Sequence, residues 1–500
     1  MKHLKLFNQA SEYEAYKNGS DYVLPNVSYV VEGEFVNFEP YVPDIRDNYL
    51  TIQALEDGLT ASLSVNACEY CVDGDDNWKI LAADTATESI NTGQTLSFRG
   101  KLTPDSSKGI GTFTISKKCN LKGNCTSMLF GDNAANNYSL EGKDFAFFKL
   151  FNNCTNIVNV SSNFLPTTTL VRYCYDTMFS GCTSLTTAPE LPATTLESYC
   201  YDTMFSGCTS LTTAPELPAT TLESYCYSNM FSGCTSLTTA PELPATTLES
   251  YCYKYMFKGC SNLATAPDLP ATTLARYCYN GMFYNCTNLA IAPELPARTL
   301  ASSCYNSMFY NCSSLTTAPE LPATTLAEYC YQSMYGYCTS LTTAPELPAT
   351  ALEYACYSNM FNYCKNLTTA PELPATTLAR YCYNGMFDNC TNLAIAPELP
   401  ATTLENYCYQ SMFNCCKNLT TAPELPATTL ANYCYREMFR VCSKLNYIKM
   451  LATDISANSC LSSWVSGVAS TGTFVKNPAM TSLPTGLSGI PEGWTVVDAA

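Results

Sequence analysis

Histidine is almost missing from this chain: in 500 residues there is one, His3, beside the terminus. No Ser-His-Asp triad, Cys-His pair or zinc–histidine set can be assembled from it, which excludes the commonest routes to nucleophilic and metal-assisted hydrolysis. Long apolar runs are lacking too. No stretch of eighteen apolar residues occurs, so nothing reads as a membrane-spanning helix. Basic clusters are absent and the net charge is −17, so phosphate backbones and anionic lipid would be repelled. Neither nucleic acid nor membrane insertion is therefore expected. The first residues, Met1 to Asn8, carry lysines but no apolar core of a secretory signal, so the chain as written reads as not addressed for export. Hydrophobic residues make up 46%, enough for a large core and too many for global disorder.

Cysteine, by contrast, is abundant, and its 29 copies are ordered. Twelve fall at a spacing of 26, from Cys174, Cys200 and Cys226 to Cys434 and Cys460, and eleven more form a second column from Cys182 and Cys208 to Cys442. Two readings stay open. The columns are reduced thiols packed as small apolar groups, as suits a reducing compartment. Alternatively, they are disulfides between neighbouring units, for which a Cα spacing of about 5 Å is permissible.

From Leu165 to about Trp464 the unit reads L-P-A-T-T-L-x-x-Y-C-Y-x-x-M-F-x-x-C-x-x-L-x-x-A-P-E, with eleven Leu-Pro starts and a degenerate twelfth at Leu451. Self-similarity of this period predicts a solenoid, in which each unit buries its apolar face against its neighbours. Within one unit, Leu196, Cys200 and Met204 recur at i, i+4 and i+8 beside Tyr201 and Phe205, which predicts a short helix. Thr194 and Glu197 have the spacing of a capping box. The residue before the second cysteine is Gly181, Gly207, Gly233 and Gly259, then Asn285, Asn311 and Asn389, the two types that tolerate a left-handed helix end. Tyr337, Tyr363, Cys415 and Val441 depart from this pattern, so those helices are expected to end differently. Leu211-Thr212-Thr213-Ala214 reads as a strand stopped by Pro215 and Pro218, which cannot donate to a ladder. The expected fold is α/β, a leucine-rich-repeat solenoid of 26-residue units.

Met-Phe-x-x-Cys-x-x-Leu resembles the Ala-Phe-x-x-Cys-x-x-Leu core of BspA-like (Treponema-type) leucine-rich repeats, and it recurs over about 300 residues. That family consists mostly of bacterial surface proteins and adhesins, common in Bacteroidetes and their phages, so the resemblance implies a binding role. Residues 1–48, with a hairpin pattern in Pro25–Val31 and Val36–Tyr41, resemble N-terminal segments of Bacteroides phage structural proteins, which implies attachment to a particle. Short alternating bursts across residues 49–118 predict a small Ig-like β-sandwich. Residues 119–164 are expected to cap the solenoid (165–464), with Cys154 lying 28 residues before Cys182. Residues 465–500, bearing Pro478, Pro484 and Pro491, are expected to cap its other end.

Chemistry is sparse. Cys68-x-x-Cys71 is a lone pair where structural zinc wants four ligands, and Asp73-Gly74-Asp75-Asp76 lacks the downstream glutamate of a calcium loop and reads as a turn. No metal and no cofactor are expected. The Asn-Cys-Thr sequons at Asn285 and Asn389 recur with the repeat. The most informative polar feature is a column of acids: Glu190, Glu216, Glu242, Asp268, Glu294, Glu320, Glu346, Glu372, Glu398 and Glu424. At a spacing of roughly 5 Å neighbours would repel by about 0.8 kcal/mol in water. The column is either a splayed, solvated row or a set of acids hydrogen-bonded to local backbone, or else a strip that binds divalent cations or a basic partner. Residue pairs after Tyr-Cys-Tyr vary (Asp176-Thr177, Lys254-Tyr255, Gln332-Ser333, Arg436-Glu437) and are expected to face solvent, while threonines of the Thr186-Thr187 type form a uniform ladder. Such a face suits a repetitive ligand, and recent duplication accounts for it equally well.

These features lead us to expect a non-enzymatic virion component, a phage fibre or surface decoration. Its N-terminal segment would meet other virion proteins, and its solenoid would adhere to a bacterial surface glycan or protein. The alternative is a BspA-like adhesin on the bacterial cell surface. Assembly into a homo-oligomer stays open.

Overall fold

The computed structural model describes residues 28–32, 35–39 and 48–500. Two units are present, residues 1–47 and 48–500. In the first, β1 (Ser28–Glu32) and β2 (Phe35–Glu39) pair antiparallel, with Val30 opposite Asn37.

The second unit begins as sheet. The sequence alternates apolar and polar residues in β3 (Leu50–Ala54), and its Leu50, Ile52 and Ala54 are buried. The following strands are β4 (Ala61–Leu63), β5 (Cys68–Val72), β6 (Lys79–Leu81), β7 (Thr95–Arg99), β8 (Phe113–Ile115) and β9 (Cys119–Lys122). With β10 (Ile157–Val160) they form a six-stranded sheet ordered β10-β9-β3-β7-β5-β6 and a separate β4-β8 pair. The two meet through Phe98 and Phe113, whose rings cross edge to face at 5.1 Å. β9 pairs antiparallel with β3 but parallel with β10, and Asn159 of β10 then bridges Thr187 in parallel. The first sheet therefore runs past residue 118 and hands its edge directly to the repeats.

From there, equivalent residues 26 apart are neighbours. Thr213, Thr239, Thr265, Ile291 and Thr317 form one run of parallel bridges, and Thr343, Thr369 and Ile395 another. At the far end β11 (Tyr447–Met450), β12 (Thr473–Lys476) and β13 (Thr495–Asp498) continue as a three-stranded parallel sheet. Among the described residues helix is scarce: α1 (Ser127–Phe130) and two 3-10 turns, 131–136 and 162–164.

The helix expected in every rung is not there. Around Tyr251 to Cys260, the N–H groups of Tyr251, Tyr253, Tyr255, Phe257 and Gly259 donate to carbonyls of the next rung at 2.7–3.0 Å. The N–H groups of the residues between them donate three residues back within the rung. Half of the donors a helix would use internally are spent on the neighbour. Tyr251, Tyr255 and Gly259 carry φ of 65, 53 and 75°, a left-handed residue every fourth position. Thr194 and Thr195 head no helix either, since Thr194 accepts from the N–H of Thr220 and Thr195 bridges Thr221. Tyr337, Tyr363, Cys415 and Val441 do not depart from the rule: their φ values are 61, 59, 61 and 62°, like that of Asn285 at 62°. Each donates its N–H to the next rung, and that shared bond imposes the conformation whatever the side chain.

The core is a set of columns. In one rung Leu191, Ala193, Leu196, Cys200, Tyr201, Met204, Phe205, Cys208 and Leu211 are all buried. Tyr201, Tyr227 and Tyr253 stack at 5.8–6.0 Å, and Phe205, Phe231 and Phe257 at 5.7–5.8 Å. The phenylalanine column starts one rung early, with Phe151 on Phe179 at 5.5 Å, and both columns end on buried Trp464.

Candidate functional site: the proline corner of the repeats

The site is built where each strand ends. Leu211 is buried, Thr212 and Thr213 are exposed, and Pro215 and Pro218 withhold the N–H groups that would extend the ladder. The chain turns there, Leu217 plunges into the core at 3% exposure, and Glu216 just before it is left pointing out. Repetition turns this corner into an edge. All ten acids of the column, from Glu190 to Glu424, are exposed. Among the described residues only Glu424 has a cationic partner, Lys449 at 3.0 Å. Between successive corners lie shallow grooves. One of ≈ 430 Å³ is edged by Ile291, Leu295, Pro322, Glu294 and Glu320. Another of ≈ 390 Å³ has Ile395, Pro374, Pro397, Glu372 and Glu398. A third, ≈ 590 Å³, has Arg298, Glu320 and Glu346.

The structure separates other features singled out in the sequence. Cys68 and Cys71 sit three residues apart on β5, so alternation points them to opposite faces, and both are buried. Burial pushes the Cys68 thiol up to about 12, far from the thiolate that metal binding needs. Asp73 to Asp76 form the turn between β5 and β6: Asp73 accepts from the Thr95 N–H at 2.8 Å and Asp75 from the Asn77 N–H at 3.0 Å. Among the described residues no group of three or more His, Cys, Asp or Glu side chains is placed to hold a metal ion.

All 29 cysteines are free. The second column has a bonding role: Cys208 donates its thiol to the Phe179 carbonyl at 3.2 Å and Cys312 to that of Phe283 at 3.1 Å, each tying its rung to the one before. In the first column Cys174 and Cys200 meet sulfur to sulfur at 3.5 Å, well beyond a covalent S–S bond.

The variable residues after Tyr-Cys-Tyr do not all face solvent. Asp176, Ser228, Asn280 and Ser358 are buried, because the four-residue turn tucks this position between rungs. There they join a polar ladder in which Asn280 donates to the Asn306 carbonyl at 3.2 Å and Asn306 to Gln332 Oε1 at 2.8 Å. Burial drives the carboxyls at its N-terminal end up, Asp176 to about 7 and Asp202 to about 6. A second cluster lay unnoticed in the sequence. The Arg99 guanidinium lies 4.0 Å over the Trp78 ring and bonds Glu69 at 2.7 Å and Asp132 at 2.8 Å. Tyr49 also donates to Asp132, at 2.9 Å. These residues come from separate strands and loops and share no spacing that could have announced them.

The family model of the BspA type leucine rich repeat region (6 copies) matches residues 148–264, 254–394 and 354–465. The chain belongs to the BspA-type leucine-rich-repeat family. The matches begin inside the turn run that precedes Leu165 and end beside Trp464, so they follow the aromatic columns. This BspA-type chain is a repeat scaffold of mixed strand and turn content, and its family is typically non-enzymatic and of a surface or adhesion type. No curated protein and no solved structure matches the chain significantly.

Proposed function

We propose that this BspA-type protein is a non-catalytic adhesin of a phage virion, a fibre or surface decoration that binds a bacterial surface glycan or protein. In this reading the repeats form one continuous solenoid of 26-residue units, and residues 49–118, completed by β9 and β10, form a small Ig-like β-sandwich at its head. The observation that supports it best is the outward edge of the stack, where exposed threonine pairs and proline corners recur with little change from rung to rung. Such an edge repeats one set of contacts many times, which favours avidity for a surface that itself repeats. Residues 1–47 form a unit of their own, as an attachment piece for other virion proteins would. Family membership favours a second reading, a bacterial cell-surface adhesin.

Mass spectrometry of purified phage particles tests location. The protein is expected among the virion components, and its absence there together with recovery from a bacterial envelope would establish the second reading. Adhesion itself is tested by flow cytometry of the labelled full chain on intact bacteria. A chain that binds no surface would overturn both readings.

A further inference from the structure

Two side chains interrupt the threonine edge. Ile291 and Ile395 replace the threonine found at Thr265, Thr317, Thr369 and Thr421, and they are 71% and 76% exposed. The ladder does not require them: Ile291 bridges Thr265 and Thr317 through the same backbone bonds that link the threonines. An isoleucine so exposed gives the fold nothing that threonine would not, and leaves apolar surface in water. Each one edges a corner groove that also presents two acids of the column, Glu294 and Glu320 in one, Glu372 and Glu398 in the other. Both isoleucines sit in the same block, Asn-Leu-Ala-Ile-Ala-Pro-Glu-Leu-Pro, at residues 288–296 and 392–400, four rungs apart.

We propose that these two grooves form a paired docking site for an extended protein segment that carries a basic and an apolar side chain together at each end. The proposal rests on the adhesion reading and gives it a partner chemistry. Charge decides the occupant. The four groove carboxylates have no cationic partner among the described residues, and the chain is strongly acidic. A second copy would set one acid row against another and be repelled. A neutral glycan offers hydroxyls but no cation, and a simple cation leaves the isoleucine bare. A lysine or arginine followed by an aliphatic residue answers both. The third groove, between the rungs of Glu320 and Glu346, has Arg298 on its rim and no isoleucine, so it favours no basic side chain. Ile291 lies on the first rung of its groove and Ile395 on the second of its own, so the groove centres are three rungs apart and the isoleucines four. At a strand spacing of about 4.8 Å the isoleucines, like Glu294 and Glu398 beside them, are separated by about 19 Å, which roughly six extended residues span.

The probe is an acetylated, fluorescein-labelled peptide, Lys-Leu-Gly-Ser-Gly-Ser-Lys-Leu, titrated with the full chain by fluorescence anisotropy. Its two Lys-Leu pairs stand six residues apart. The double variant I291T/I395T, which installs the residue other rungs already carry, is expected to weaken binding about tenfold or more while its melting temperature stays at the wild-type value. Shortening the spacer to two residues lowers affinity to that of a single Lys-Leu pair, and raising salt weakens binding further. Peptide affinity equal in wild type and I291T/I395T, or no binding at all, overturns the proposal. So does capture of a neutral polysaccharide that is indifferent to salt and to I291T/I395T, although the adhesion reading then survives. Peptide binding retained by a chain that adheres to no cell refutes the adhesion reading and leaves the docking site standing.

Discussion

Val441 is a β-branched residue held at φ 62°, where branching at Cβ crowds the backbone most. Asparagine holds the same place at Asn285, Asn311 and Asn389, and the left-handed region penalises it less. Val441→Asn is therefore expected to stabilise the protein by about 1 kcal/mol, read from urea unfolding. Tyr335 stands in the phenylalanine column with its hydroxyl buried and without a hydrogen-bond partner, so Tyr335→Phe is expected to gain about 1 kcal/mol in the same assay. Asp176 makes stability depend on pH. Its folded pKa, about 7, lies above the ordinary value of 3.8, so the folded chain holds the proton over that interval. Stability from this group rises as pH falls from about 8 towards 4 and is lost as pH rises through about 7. Asp176→Asn is expected to flatten that slope and to raise stability at pH 8 by on the order of 2 kcal/mol. An unchanged slope of melting temperature against pH would show that Asp176 ionises freely.

At the scale of the element, the rung replaces a helix with a chain of four-residue turns. Leu196, Cys200, Met204 and Cys208 are spaced by four without drift, and all four are buried. A helix of 3.6 residues per turn would carry the last of them about 120° round from the first. Over i, i+4 and i+8 the two periods look alike, which is why the sequence suggested a helix. The glycines and asparagines before the second cysteine were legible as left-handed positions, but their cause was a bond to the next rung. The second cysteine column belongs to the same scale, since its thiols bond the preceding rung through a backbone carbonyl. Cys312→Ala removes that link and some buried volume and is expected to cost about 1–2 kcal/mol. Cys415 is the one half-buried cysteine, so a thiol reagent under native conditions should modify it well before the rest. Reaction of many thiols at one rate would mean that the columns open readily.

Across the whole molecule, stability is a sum over neighbouring rungs. Deleting residues 275–378 removes 104 residues, four whole rungs, and joins Leu274 to Ala379 in the register Leu274–Ala275 already has. That variant is expected to unfold cooperatively, with a denaturant slope reduced in proportion to the surface lost. Deleting 275–287, half a rung, should break the columns and leave no sharp transition in circular dichroism.

Much of this was written in the chain. The 26-residue period, the inward cysteines, tyrosines and phenylalanines, the proline corner and the exposed acid column follow from local chemistry repeated in order, because each residue type meets the same neighbours in every rung. Other features needed the fold. Asp176 and Ser228 are buried only because stacked turns close over them, and Arg99 finds Trp78, Glu69 and Asp132 only when four separate segments meet. The left-handed backbone at Val441 is imposed from the next rung, against the preference of its own side chain. Periodicity fixes what recurs along a chain, while bonds between rungs decide the conformation that recurs.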